Sequence, residues 1–313
     1  VDLLGPARIR DAELNERHYD IAGAMQRTFV KLVQHLMKIG KKMGGGSGNI
    51  VLSGGAAMNC VFNGELDSMD IYENSFISSC PDDSGVAVGA CLLAHYRYAS
   101  PTYREVKECD HNYWGPSYSD DEIKTTIEKC KLKYEKPKDL IGTLAKEISE
   151  GKLVGWFQGS MEFGHRALGN RSILADPRYE ETKDKINLAV KYRESYRPFA
   201  PLTLAESASS IFEMPKDRRV NFMERAYPIK KEWQPQLGAV THVDGTGRVQ
   251  TLERKSNPLL YDLIEKFGKL TDVPVLLNTS FNLNGEPIVM KPEHAVRTFY
   301  SCGLDLLVMG PYI

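Results

Sequence analysis

The hydrophobic pattern of the first hundred residues predicts alternating helices and strands. Between residues 17 and 42, apolar side chains recur every three or four positions, from Ile21 to Ile39. That spacing is typical of an amphipathic helix. It is followed by segments that predict a strand, a helix, a second strand and a second helix, at 49–52, 57–69, 75–78 and 84–98. This alternation favours an α/β layer fold.

The periodicity breaks between residues 99 and 121, where turn-forming residues are frequent. We therefore place a domain boundary there and expect one domain at 1–104 and a second α/β domain at 105–313. The second domain has predicted helices at 120–130, 138–150, 257–270 and 292–302. Its predicted strands lie at 153–158, 172–175, 201–205, 223–229, 273–277 and 304–309, with a hairpin turn at 243–249.

The composition is that of an ordinary soluble globular protein. Of 313 residues, 42% are apolar and 26% charged, and the net charge of −1 gives no overall attraction to nucleic acid or membranes. The six cysteines are scattered and form no CxxC pair, which favours reduced thiols in the cytoplasm over a disulfide framework. No apolar run approaches the roughly 18 residues of a membrane span. We expect a cytoplasmic protein.

Two cationic segments predict a local pocket for a polyanion. The segment 162–172 (EFGHRALGNRS) follows an apolar strand and sets its cations among glycines, where the backbone can approach a ligand closely. These cations are His165, Arg166 and Arg171. The second set comprises Lys191, Arg193 and Arg197. Arginine binds phosphate oxygens in pairs and lysine adds a point charge. The alternative is solvated surface charge, which the glycine, proline and apolar setting disfavours. His165 could carry a proton, but a binding role is favoured.

Three further motifs each have a functional and a structural interpretation. The Gly54-Gly55 turn, with Asn59 after it, could let the backbone approach a nucleotide, or could be a tight turn. The acids Asp82 and Asp83 could hold a divalent metal, or could cap a helix. A polar run after the predicted strand 273–277 could face a ligand, or could form a loop of side-chain turns. This run contains Asn278, Thr279, Ser280 and Asn282.

Together these motifs resemble one family, the nodulation protein U and antibiotic O-carbamoyltransferase family. Residues 54–63 and Asp83-x-Gly85-x-Ala87-x-Gly89 resemble the C-terminal half of its first domain, which is an actin-like ATPase (ASKHA) domain. The segments 162–172, 191–201, 244–250 and 277–289 resemble its second, YrdC-like domain. The resemblance implies an α/β chain with the end of an actin-like domain at 1–104 and a YrdC-like domain with a twisted mixed sheet at 105–313.

The resemblance also implies an activity and its residues. In this family the YrdC-like domain forms carbamoyl-adenylate from ATP and carbamoyl phosphate, with Mg²⁺ accompanying ATP. The actin-like domain then passes the carbamoyl group to an acceptor hydroxyl. By resemblance, the catalytic residues are Lys191, Arg197 and Arg166. The resemblance also implies a set of residues that bind the nucleotide or carbamoyl phosphate. This set comprises His165, Arg171, Arg193, Arg248, Asn278, Thr279, Ser280, Asn282, Gly54, Gly55 and Asn59.

One departure from the family pattern limits this expectation. The family's first domain carries an HxxxH pair that binds Fe²⁺ or a similar ion, and none of the seven histidines here has that spacing. Asp83 is the one metal ligand that the resemblance leaves. We therefore expect the C-terminal portion of a longer carbamoyltransferase. Such a chain should adenylate carbamoyl phosphate without delivering the carbamoyl group, and an exposed apolar face of its half-domain should favour self-association.

Two rival interpretations remain open. A threonylcarbamoyl-AMP synthase of tRNA modification would share the YrdC-like domain and use threonine, bicarbonate and ATP. A non-catalytic nucleotide- or RNA-binding module would use the same cationic pocket, although the near-neutral net charge disfavours RNA. The identity of the hydroxyl acceptor is open.

Overall fold

The computed structural model describes residues 4–9, 12–99, 109–192 and 197–313. They form two compact units. The first unit comprises Val1–Val51 and Glu65–Phe76, and the second comprises Leu52–Gly64 and Ile77–Ile313. The boundary predicted between residues 104 and 105 lies outside the described residues.

The first unit is built around α1 (Glu16–Met43), which confirms the helix predicted at 17–42. A capping box starts it: the Asn15 side chain accepts the His18 N–H, and the His18 ring accepts the Asn15 N–H. The Tyr72 hydroxyl donates to the Met37 carbonyl at 3.2 Å. Strands β1 (Asn49–Leu52) and β2 (Asn74–Ile77) form a two-stranded sheet, close to the predicted positions.

The single helix predicted at 57–69 is wrong. The segment folds as a 3₁₀ turn (Gly55–Met58), a short helix α2 (Cys60–Glu65) and a second 3₁₀ turn (Leu66–Ser68). The break has a local cause, because the Asn59 side chain accepts the Phe62 N–H at 3.0 Å and starts a new helix there.

The helix predicted at 84–98 is confirmed as α3 (Gly85–Ala94), which continues as a π-helical turn (His95–Ala99). None of the residues of α3 is buried, and Val86 and Leu93 are 69% and 64% exposed. Self-association through such a face stays a prediction. No helix in the described ranges is both long and apolar enough to cross a membrane.

A seven-stranded sheet with the order β6-β7-β5-β8-β4-β3-β9 forms the centre of the second unit. Two neighbouring pairs, β3 with β9 and β5 with β7, are parallel, and the other pairs are antiparallel, so the predicted mixed sheet is confirmed. The strands are β3 (Val154–Phe157), β4 (Arg171–Ala175), β5 (Ala200–Leu204), β6 (Arg225–Pro228), β7 (Thr246–Leu252), β8 (Val275–Ser280) and β9 (Leu306–Met309).

Helices cover both faces of this sheet. One face, which carries Leu174, Leu202 and Leu276, packs against α5 and α8. The opposite face, with Ile173 and Leu277, packs against α4, α6, α7 and α9. The helices are α4 (Asp120–Lys129), α5 (Leu140–Ser149), α6 (Glu180–Ile186), α7 (Ala208–Ile211), α8 (Pro258–Thr271) and α9 (Pro292–Tyr300).

Three sequence predictions for this unit need correction. Strand β8 extends to Ser280, because it pairs on both sides, with β4 and β5. Its last three residues were predicted as a loop. The turn predicted at 243–249 is shorter, since β7 begins at Thr246 and pairs with β6. Helices α6 and α7 were not predicted, and α6 continues as a π-helical turn, Asn187–Lys191.

Candidate functional site

Several loops meet at one end of the seven-stranded sheet. In the sheet, Phe157 pairs with Arg171, Ser172 with Ser280, and Ala200 with Asn278. The end of β3, the start of β4, the end of β8 and the start of β5 therefore share one end of the sheet. Since β7 runs parallel to β5, it starts there too. The loop between β3 and β4, which carries His165 and Arg166, lies at this end, and Lys191, at the end of the π-helical turn Asn187–Lys191, contacts Ser280 at the end of β8.

A fully buried carboxylate shapes the loop between β3 and β4. Glu162 is 4% exposed, and its Oε1 accepts the N–H groups of Leu168 and Asn170, both at 2.7 Å, and of Arg171 at 3.3 Å. Its Oε2 is buried and has no partner among the described residues. Burial raises the pKa of Glu162, while the three N–H groups oppose that shift. Sequence reasoning missed this residue.

Side chains of the sheet and its surroundings hold the carbonyls of the same loop. The Leu168 carbonyl accepts the Tyr113 hydroxyl at 3.1 Å and the Gln250 amide at 2.9 Å. The Trp156 indole N–H donates to the Gly169 carbonyl at 2.8 Å. The loop backbone is therefore fixed from both sides, which orders its conformation before any ligand binds.

Arg171 belongs to the scaffold of this loop. Its side chain is completely buried, and its guanidinium lies 3.7 Å from the centre of the Phe157 ring. Nη1 donates to the carbonyls of Gln158 and Asn170, and Nη2 donates to those of Pro116 and Gly159. The side chain has no exposed surface for a ligand. The ligand contact expected of Arg171 therefore does not fit its position, and we omit it from the proposed binding set.

Arg166 and Arg248 form the electrostatic centre of the site. Both residues are half-buried. Burial, and then the charge of Arg248, lowers the pKa of Arg166 to about 10. Burial likewise lowers the pKa of Arg248, with the Cys60 thiol acting in the opposite direction. Arginine side chains remain charged in proteins at neutral pH. Arg248 acts electrostatically on Arg166, and no carboxylate of the described residues acts on either group, an arrangement that favours an anionic ligand.

His165 lies at the edge of this pair. Burial, and then the neighbouring Arg166, lowers the pKa of His165, and Asp82 partly opposes the shift. Its Nδ1 is 3.7 Å from Asp82 Oδ2. The Ser84 hydroxyl donates to Asp82 at 2.5 Å, and this bond lowers the pKa of the carboxyl. The predicted cationic loop therefore meets the start of α3 at this point.

Lys191 is buried and held at the end of β8. It is 4% exposed, and Nζ donates to the carbonyls of Ser280 at 2.5 Å and Asn282 at 2.9 Å. Nζ also lies 3.2 Å from Ser280 Oγ and 2.8 Å from Asn282 Oδ1. Lys191 and Ser280, which lie 89 positions apart in the sequence, are therefore in direct contact. Of the other two cations in the second predicted set, Arg197 is exposed shortly before β5, and Arg193 lies outside the described residues.

The polar residues of β8 separate between the two faces of the sheet. Successive strand residues face opposite sides, so Asn278 and Ser280 share one face and Thr279 lies on the other. Asn278 is 1% exposed and donates to Gln250 Oε1 at 2.8 Å and to the Ala167 carbonyl at 3.3 Å. Asn278 thus links β8 to the loop between β3 and β4 that carries Arg166. Thr279 lies on the opposite face of the sheet.

The glycine motif before α2 lies in the same compact unit. Gly54, at φ +90°, has an exposed backbone and donates its N–H to the Pro81 carbonyl at 2.6 Å. Gly55 is exposed, and Asn59 caps α2. Cys60, the first residue of α2, acts electrostatically on both Arg166 and Arg248. The motif therefore adjoins the arginine pair.

A buried contact fixes α2 to strand β6. Asn63 is completely buried, and its side chain donates to the carbonyls of Ala57 at 2.7 Å and Glu224 at 2.8 Å. The Asn63 carbonyl accepts Arg225 Nη1 at 2.7 Å. Gly64 lies so close to β6 that a Cβ would stand 1.9 Å from the Ala226 carbonyl oxygen. Only glycine fits this approach.

Asp83, the predicted metal ligand, is exposed at the start of α3. Within the described ranges, no group of three or more histidine, cysteine, aspartate or glutamate residues could hold a metal ion. A divalent ion needs several convergent ligands. Asp83 does not form a metal site with the described residues alone.

Comparison with known proteins gives consistent family matches. Residues 145–313 match the family model described as carbamoyltransferase C-terminus, and residues 1–92 match carbamoyltransferase N-terminus. Nodulation protein NolO of Bradyrhizobium diazoefficiens is 40% identical over 324 residues, which cover 100% of this chain and 59% of that protein. The 3'-hydroxymethylcephem-O-carbamoyltransferase of Amycolatopsis lactamdurans is 31% identical over 303 residues, covering 97% and 53%.

This chain thus spans about half the length of the curated relatives that it matches. Among solved structures, full-length HypF in its phosphate- and nucleotide-bound form aligns with a TM-score of 0.41 and 17% identity, over 70% of this chain and 35% of that one. A superposition at that level supports no further argument.

Proposed function

Because this chain belongs to the carbamoyltransferase family, we propose that it activates carbamoyl phosphate with ATP and so forms carbamoyl-adenylate. The observation that supports this proposal is the pair of half-buried arginines, Arg166 and Arg248, on which no carboxylate in the described part of the chain acts. They lie at the end of the sheet where Ser280 and Lys191 also meet. The proposal places both phosphorylated substrates at this end.

The electrostatics of the site suit that reaction. Forming an acyl-adenylate brings a triphosphate against a second phosphorylated reactant, and their negative charges repel each other. Fixed cations in a partly buried site reduce that repulsion and stabilise charge that develops on the phosphoryl oxygens. In the proposal, Arg166 and Arg248 bind the phosphates. Lys191 exchanges part of its contacts with Ser280 and Asn282 for phosphate oxygens, and Arg197 closes the site from the start of β5.

The loop that Glu162 holds supplies the positioning. Catalysis of phosphoryl and adenylyl transfer depends mainly on the placement of reactants and charges. Ordered loop carbonyls and amides around residues 162–171 keep Arg166 in place without a ligand. We further propose that Mg²⁺ enters with ATP, bound chiefly by its phosphates.

The second half-reaction belongs to a longer protein. We propose that carbamoyl transfer to an acceptor hydroxyl, and any iron site, require residues beyond this chain, because Asp83 alone provides too few ligands. The acceptor is a small hydroxyl compound, as the resemblance to the family implies. Self-association through α3 stays part of this proposal.

A pyrophosphate-release assay tests the proposed function. The purified protein is given ATP and Mg²⁺ with either carbamoyl phosphate or threonine plus bicarbonate. The proposal predicts release with carbamoyl phosphate alone. Release only with threonine and bicarbonate would establish the threonylcarbamoyl-AMP synthase instead, and nucleotide binding without release in either mixture would indicate a non-catalytic module.

A further inference from the structure

The proposed reaction consumes a water molecule, and this inference rests on that proposed function. In carbamoyl phosphate, a phosphoryl group occupies the oxygen that must bond to the α-phosphorus of ATP. Formation of carbamoyl-adenylate with release of both orthophosphate and pyrophosphate therefore consumes one water molecule. If water removes that phosphoryl group first, it leaves carbamate free to attack ATP. A water that attacks phosphorus loses a proton, and a positioned general base accelerates such a step.

A hydrogen-bonded relay at the start of β7 presents a candidate base. His242 Nδ1 lies 3.0 Å from Thr246 Oγ1, and Thr246 Oγ1 lies 2.7 Å from Asp244 Oδ1. The turn is closed by backbone bonds, since the His242 N–H donates to the Thr246 carbonyl at 2.8 Å. Asp244 Oδ1 also accepts the Thr246 N–H at 3.0 Å. The imidazole is therefore held in one orientation.

This relay fixes the tautomer of His242. The threonine hydroxyl has a single proton, and the carboxylate of Asp244 can only accept, so that proton points to Asp244. Thr246 Oγ1 must then accept from the ring, which places the other proton on His242 Nδ1. Nε2 is left unprotonated, with its lone pair free to accept.

The ring that carries the free nitrogen interacts electrostatically with Arg248. Thr246 and Arg248 are two residues apart on β7, so their side chains lie on the same face of the strand. Nε2 of His242 and Nε of Arg248 are both buried, and neither has a hydrogen-bond partner in the described parts of the chain. A buried acceptor without a donor costs about 1–3 kcal/mol. A water or ligand bound beside Arg248 would supply the missing donor.

The charge state of the ring agrees with this geometry. Burial, and then the charge of Arg248, lowers the pKa of His242 to about 4, while Asp244 opposes the shift. The imidazole is therefore neutral at physiological pH and ready to accept a proton. A bound phosphate dianion beside Arg248 would raise the pKa toward neutrality, because nearby negative charge favours the imidazolium.

We propose that His242 is the general base for hydrolysis of carbamoyl phosphate in this site. Nε2 takes a proton from water as the water oxygen bonds to phosphorus. The bond between phosphorus and the carbamate oxygen breaks, and carbamate leaves with the electron pair. Carbamate then attacks the α-phosphorus of ATP and expels pyrophosphate, and the proton on His242 returns to solvent. Arg166 and Arg248 bind the phosphoryl oxygens throughout.

Supplying carbamate directly separates the two steps. Pyrophosphate formation is measured for wild type, His242→Gln and His294→Gln, a control on α9 outside the site, with ATP and either carbamoyl phosphate or ammonium carbamate. General-base catalysis contributes about 10²–10⁴-fold. His242→Gln should lose about that factor with carbamoyl phosphate and stay within about threefold of wild type with carbamate, whereas the control should be unaffected with both.

A second variant keeps the test independent of the fold of the first. Thr246→Val retains the imidazole but removes the acceptor that fixes its tautomer, so it should lose activity with carbamoyl phosphate only. Equal losses of either variant with both substrates, or full activity of His242→Gln with carbamoyl phosphate, would overturn the proposal. Wild type that forms no pyrophosphate from either substrate would overturn the proposed function itself, and the base assignment with it.

Discussion

Substitution of Glu162 tests whether the loop that carries Arg166 is held by one buried carboxylate. Glu162→Ala removes the acceptor of two N–H groups at 2.7 Å and of a third at 3.3 Å. Each buried donor left without a partner costs about 1–3 kcal/mol. Loss of the buried charge relieves part of that cost, since burial alone disfavours the ionised carboxyl. We expect a net destabilisation of about 3 kcal/mol.

Denaturant unfolding followed by tryptophan fluorescence measures this change, because the Trp156 indole N–H donates to the Gly169 carbonyl of the same loop. Glu162→Gln keeps an oxygen acceptor at the same place and should lose less than half as much. Glu150→Ala is the matched control: its exposed pair with Lys146, at 3.7 Å, contributes at most about 1 kcal/mol. A Glu162→Ala protein whose free energy of unfolding is within about 0.5 kcal/mol of wild type, the range usual for surface substitutions, would show that this carboxylate does not hold the loop.

Three further outcomes follow from the site and its supports. Lys191→Ala should weaken ATP binding about tenfold or more, because a charge-assisted contact contributes roughly 1.5–3 kcal/mol. Lys185→Ala, which removes an ion pair with Asp305, should leave ATP affinity unchanged, and isothermal titration calorimetry measures both affinities. Gly64→Ala should destabilise the fold by about 1–3 kcal/mol, because its Cβ would meet the Ala226 carbonyl, while Gly89→Ala, in open space on α3, should be neutral or stabilising in thermal unfolding. Between about pH 6.5 and about pH 4, His242 is protonated in the unfolded chain but neutral in the folded protein. The free energy of unfolding should therefore decrease by at most about 3 kcal/mol as the pH is lowered through this range, and His242→Gln should reduce this pH dependence.

The sequence was informative about regular elements and about charge. Apolar periodicity located α1, and alternating apolar segments located most strands of the large sheet, because both depend on burial of a continuous face. The cationic segments were found because arginine and lysine among glycines are unusual. Two of the residues found in this way, Lys191 and Ser280, lie 89 positions apart and are in direct contact in the structure.

The features that the sequence did not predict depend on contacts between residues far apart in the chain. Asn278 and Ser280 look like loop residues from composition, yet pairing on both sides draws them into β8. The side chain of Arg171 has the chemistry of a phosphate ligand, but it is buried and both of its Nη groups donate to backbone carbonyls. Glu162 and His242 carry no local sequence signal, because their roles arise from backbone amides and a turn geometry that only the fold assembles.

Trapping the intermediate tests the central claim most directly. The protein is mixed with ATP, Mg²⁺ and carbamoyl phosphate labelled with ¹³C, quenched, and analysed by mass spectrometry. The account predicts labelled carbamoyl-adenylate, formed together with pyrophosphate and lost in the Lys191→Ala protein. Conversion of ATP to ADP and orthophosphate, with no labelled adduct of AMP, would contradict it.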